Sequence, residues 1–75
     1  MPRIAVGSTV RVVERQELEA YLRSPDPRER PEPGQFAAAG RVARVMGVRL
    51  DAGRDPLYLL KGLPGLWREA WLRPR

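Results

Sequence analysis

Seventy-five residues with no cysteine and no histidine make one small domain held by packing alone, without disulfide, thiolate metal site or imidazole base. The net charge of +5 is unevenly spread, with +2 on residues 1–13, −2 on residues 14–33 and +5 on residues 34–75. The basic second half invites anionic partners, although thirteen Arg against one Lys, eight Pro and no Asn is also the composition of heat-adapted, GC-rich genomes in which Arg is the default surface cation. No apolar run nears the roughly 18 residues of a membrane span, and the first seven residues lack the apolar core of a secretory signal. A cytoplasmic protein without a membrane partner is expected.

Val6-Gly7-Ser8-Thr9-Val10-Arg11-Val12-Val13 reads as a first strand. Ile4, Val6, Val10 and Val12 fall on one face at period two, with Thr9 and Arg11 on the other. Gly7-Ser8 marks a bend or bulge, and Val13 falls on the outer face, where something must cover it. Over residues 14–23, Leu18, Tyr21 and Leu22 stand at helical spacing. This predicts one or two helical turns, stopped at Ser24-Pro25 because the residue before a proline disfavours helix. Residues 24–35, with four prolines and mixed charge, read as a polar, exposed excursion without an apolar anchor.

From Phe36 the pattern returns to strand. Gly40-Arg41-Val42-Ala43-Arg44-Val45-Met46-Gly47 carries Val42 and Val45 three apart, which a bulge would reconcile. Gly47 is expected at a turn, with Val48 and Leu50 facing inward after it. Residues 51–56, Asp-Ala-Gly-Arg-Asp-Pro, form a turn by composition. Leu57-Tyr58-Leu59-Leu60 then pairs antiparallel to residues 48–51. Lys61-Gly62-Leu63-Pro64-Gly65 breaks the ladder. Residues 66–70 suit a short helical turn, and Trp71-Leu72-Arg73 a last strand. Five short strands and one helical insertion after the first are the inventory of a mainly β, five-stranded barrel spanning residues 1–75.

Several of these segments resemble the SH3-like barrels of bacteria. The opening Val6-Gly7-Ser8-Thr9-Val10-Arg11-Val12 is similar to their V-G-D-x-V-x-V first strand, with Ser8 in place of Asp. Gly40-Arg41-Val42-Ala43-Arg44-Val45 resembles the G-x-V-x-x-V core of KOW-type barrels of ribosomal proteins and elongation factors. The order of first strand, insertion with Tyr21-Leu22-Arg23, Leu57-Tyr58 strand, Leu66-Trp67 and Trp71-Leu72-Arg73-Pro74 resembles the barrel domain of the nitrile hydratase β subunit. There the partner subunit carries the metal, so this resemblance implies an accessory role.

Chemistry by the chain alone is not expected. Ser8, Thr9 and Ser24 are the only aliphatic hydroxyls and have no imidazole to activate them. Asp51 and Asp55 flank a turn, Glu14, Glu17 and Glu19 line a helix face, and Gly62-Leu63-Pro64-Gly65 places proline where a phosphate loop needs N–H groups. No catalytic residue, metal ligand, cofactor or small-molecule substrate is assigned. Two contact surfaces remain. The first rests on Trp67 and Trp71, four apart, which either plug the barrel end and fasten the last strand or form with Leu66 and Leu63 an aromatic platform, with Tyr58 and Arg68 at its edge, suited to a partner protein or larger complex. The second is a stripe of outward Arg11, Arg41, Arg44 and Arg49 with Tyr58 as a stacking ring, suited to RNA or DNA.

Overall fold

A computed structural model describes residues 4–50 and 55–75. Its framework is an antiparallel sheet of five strands: β1 (Thr9–Val12), β2 (Val42–Arg49), β3 (Leu57–Leu60), β4 (Trp67–Arg68) and β5 (Leu72–Pro74), ordered β4-β3-β2-β1-β5. Two short helices, α1 (Arg15–Ala20) and α2 (Pro33–Phe36), lie in the long connection between β1 and β2. The predicted turn at residues 51–56 lies largely outside the described residues. The sheet is open: β4 and β5 are its edges, separated by the 3₁₀ turn Glu69–Trp71, where a closed barrel was expected. A two-residue β4 offers little edge with which to close one.

The inner face follows the period-two pattern except at Val6, Val42 and Leu50. Val10 and Val12 are buried, but Val6 is exposed. Gly7 adopts φ +91, and Ser8 N–H donates to Ala5 O at 3.1 Å, so the chain turns before the strand begins and Val6 falls outside its alternation. Ile4, ahead of that turn, still reaches the core. In β2 the buried residues are Ala43 and Val45, whereas Val42 is 45% exposed. The register slips between Val45 and Gly47, so the bulge lies at Met46, after the valine pair rather than between its members. It lets one strand pair with β1 through residues 42–44 and with β3 through residues 45–49. Gly47 sits inside this strand opposite Leu59 rather than in a turn. Leu50 lies past the last ladder pair, Arg49 opposite Leu57, and is exposed.

The β1–β2 connection caps the core. Val13 is buried and donates its N–H to Trp71 O at 2.9 Å, while Leu18 of α1 joins the same apolar cluster. Helical spacing continued past Ala20 would bury Leu22, yet the chain tightens into a 3₁₀ turn at Tyr21–Arg23. At three residues per turn the stripe rotates, leaving Tyr21 against the core and Leu22 exposed. Ser24 then turns extended, as the following proline requires.

Residues 24–35 are more organised than their composition suggested. Pro27 opens the 3₁₀ turn Pro27–Glu29 and Pro33 opens α2, since a fixed φ and a missing N–H suit the first helical position. Ser24 Oγ donates to Glu29 Oε2 at 2.6 Å, and Arg30 Nε donates to Ser24 O at 2.8 Å. Pro31 and Gln35 are buried. The Gln35 amide accepts from Glu32 N–H at 2.9 Å and donates to Leu66 O at 2.8 Å. One polar side chain thus ties the proline-rich segment to the turn that precedes β4.

Candidate functional site

The aromatic residues face inward. Tyr58 and Trp67 are 0% exposed and Trp71 2%, so the two indoles take the core reading rather than the surface platform, and Tyr58 is corrected from a stacking ring to a core residue. Tyr58 lies opposite Trp67 in the β3–β4 ladder, so both side chains share the inner face. Trp71, at the end of the 3₁₀ turn, meets the Trp67 ring edge-to-face at 6.2 Å and Tyr21 at 6.1 Å. Along β3 the side chains alternate, with Tyr58 and Leu60 on the buried side. Leu59 takes the outer face, and Tyr58 turns inward to donate its hydroxyl to Glu69 Oε2 at 2.8 Å. Both indole N–H groups are buried and find no acceptor among the described residues. Leu63 is half-buried and packs on the core.

What the fold does present beside these rings is a groove of about 450 Å³ between the proline-rich segment and the β3–β4 corner. Leu57, Leu66 and Trp71 are its apolar lining residues, and Arg28, Arg30 and Arg68 line it as well. Glu32 is the one carboxylate among its lining residues. Leu66, Arg68 and Trp71 were anticipated as contact residues; Arg28, Arg30 and Leu57 were not. Their sequence signal was the pair of prolines, Pro27 and Pro33, placed to start helical turns.

The groove's charges are held in place. Arg28 Nε and Nη2 reach the two Asp26 carboxylate oxygens at 3.1 and 3.2 Å, and Arg28 N–H donates to Oδ1 at 2.9 Å. The side-chain bond foremost, then that backbone bond, holds the Asp26 carboxyl below its ordinary value. The same contact holds Arg28 above its own. Arg68, whose side chain is mostly buried, lies 3.5 Å from Asp55 Oδ2 and donates to Arg28 O at 3.5 Å. It therefore joins the two walls.

The predicted basic stripe is only partly assembled. Arg11 and Arg44 are exposed on the outer face of the sheet. Arg44 needs no bulge ahead of it, because Ala43 and Val45 are the inward pair. Arg41 precedes β2, in step with Ala43 by alternation; it is exposed at the sheet's end rather than on the outer face beside Arg44. Arg49 is exposed at the opposite end of β2, beyond the bulge.

Among the described residues no three acidic side chains gather as a metal site, and no helix is long and apolar enough to cross a membrane. A second depression, of about 380 Å³ between the two sheet edges, includes Asp55 and Glu69, but these carboxylates are engaged by Arg68 and Tyr58. No protein family, curated protein or solved structure matches this chain.

Proposed function

We propose that the chain is an SH3-like interaction module, without catalysis of its own, that docks a segment of a partner protein in the groove between residues 27–35 and the β3–β4 corner. The architectural part of this reading is supported by the strand order, with β5 returning beside β1, by the long β1–β2 insertion, and by the 3₁₀ turn joining β4 to β5. The functional part is carried by one observation: three arginines, Arg28, Arg30 and Arg68, line one groove together with apolar Leu57 and Leu66. Charge complementarity then selects an acidic segment with at least one large apolar side chain, the guanidinium groups taking its carboxylates.

The test uses two fluorescein-labelled peptide pools, leucine and aromatic residues flanked by Asp and Glu in one and by Lys and Arg in the other. The acidic pool binds in anisotropy titrations and the basic pool does not. Arg28→Glu combined with Arg30→Glu weakens binding by roughly tenfold or more, since reversing two exposed charges replaces attraction to the acidic segment with repulsion. Equal binding of both pools, no binding of either, or an unaffected double variant refutes the proposal.

A further inference from the structure

The β5–β1–β2 part of the sheet, together with Lys61 just past β3, carries a second surface that shares no residue with the groove. Its outer face can be read from the register. Arg73 stands directly opposite Arg11, and Thr9 opposite Arg44. Arg75 N–H donates to Thr9 O at 3.2 Å and Lys61 N–H to Arg44 O at 3.0 Å, which extends the second row to Arg75, Thr9, Arg44 and Lys61. Neighbouring like charges on a sheet face are destabilising.

The chain relieves one of these rows and not the other. Glu14 meets Arg11 at 2.6 Å and Glu17 meets Arg73 at 3.1 Å, both from the β1–α1 side. Arg44, Lys61 and Arg75 are exposed and form no ion pair among the described residues. Folding does not need this unrelieved row, and a single carboxylate opposite Arg44, where Thr9 stands, would stabilise the sheet. Its cations are therefore available to an external anion.

We infer that this face binds the phosphate backbone of a nucleic-acid duplex. Four adjacent strands at about 4.8 Å spread the row over roughly 14 Å, which suits an extended polyanion better than a single small ion. A single strand would want aromatic rings on which bases stack. Tyr58, Trp67 and Trp71 are buried, and Tyr21 and Phe36 pack on the core, so this face has no such platform. The same lack disfavours an anionic membrane, whose interface selects exposed Trp and Tyr. Cations on a sheet face without a reading helix contact phosphates and not base edges, so binding is independent of sequence.

The experiment titrates the whole chain with labelled 20-base-pair DNA and RNA duplexes of one sequence, the corresponding single strands, and phosphatidylserine vesicles. Duplex binding is expected to weaken with salt along a log–log slope of about −3, set by three to four neutralised phosphates. Arg44→Ala and Lys61→Ala each flatten that slope by about one without changing the circular dichroism spectrum. The DNA and RNA arms tell which duplex is preferred, and either preference supports the proposal. Arg28→Glu with Arg30→Glu keeps the slope, which separates this surface from the groove. Absence of duplex binding at low salt, salt-independent binding, tighter binding to single strands or vesicles, or unchanged behaviour of Arg44→Ala and Lys61→Ala overturns it.

Discussion

Replacing Trp67 with alanine removes the indole at the centre of the core. The ring is fully buried opposite Tyr58 and edge-on to Trp71, in a strand of two residues too short to collapse into the space left. Such truncations cost about 3–5 kcal/mol. A chain of 75 residues holds about 4–11 kcal/mol in total, so the substitution consumes from a quarter to all of it. At about 4–8 °C per kcal/mol for a domain of this size, the melting temperature falls by roughly 12–40 °C. Urea unfolding followed by far-UV circular dichroism, with Trp71 fluorescence as a second probe, measures the loss. Trp67→Phe loses much less, because it keeps an aromatic ring and deletes a buried N–H that finds no acceptor among the described residues, a group whose burial costs about 1–3 kcal/mol. A Trp67→Ala protein that unfolds at the wild-type midpoint and fails only in partner binding would refute the core assignment and restore the ring to the surface.

Gln35→Ala strands two backbone groups, Leu66 C=O and Glu32 N–H, at a cost of about 1–3 kcal/mol. It should speed hydrogen exchange and limited proteolysis within residues 24–35 before the sheet is affected; unchanged protection there would show that the amide does not tie the segment down. Asp26 gives a pH signature. Because its folded pKa is depressed, its stabilising contact with Arg28 is fully present above the ordinary value of 3.8 and is lost as pH falls through the lowered folded value. A carboxyl-carbon NMR titration should place its midpoint below 3.8, and Arg28→Ala should return it toward that value; a wild-type midpoint at or above it refutes the contact.

Periodicity located β1 and β3, each paired and with one face buried, but not the two-residue β4, whose residues lie in the 66–70 stretch that suits a helical turn by sequence. Val10, Val12, Tyr58, Leu59 and Leu60 all alternate as a pleated strand must. What alternation leaves open is which side is inside. Tyr58 and Leu59 are both large and apolar in body, and only the placement of Trp67 across the ladder and of Glu69 near the phenol decides between them. The valine pair of β2 shows a related ambiguity. Three-residue spacing demands an irregularity somewhere, but the bulge falls where the strand changes partner, a fact of pairing between distant segments. The proline-rich stretch misled for another reason. Proline excludes regular helix and central strand yet favours helix starts, and the Gln35 amide that anchors the segment finds its acceptor 31 residues away.

By itself, then, the sequence determined a small β-rich domain with a helical insertion and a basic second half, because these follow from local period, composition and charge. It also marked the segment around Trp67 and Trp71 as the place that matters most, since little else in the chain could fill a core. Only the tertiary structure decided that those rings point inward, that Arg28 and Arg30 meet Arg68 across a groove, and that Arg44 and Lys61 become neighbours. Each of these depends on the register of strands or on the return of a loop. Such contacts join residues far apart in the chain, and no short window of sequence contains them.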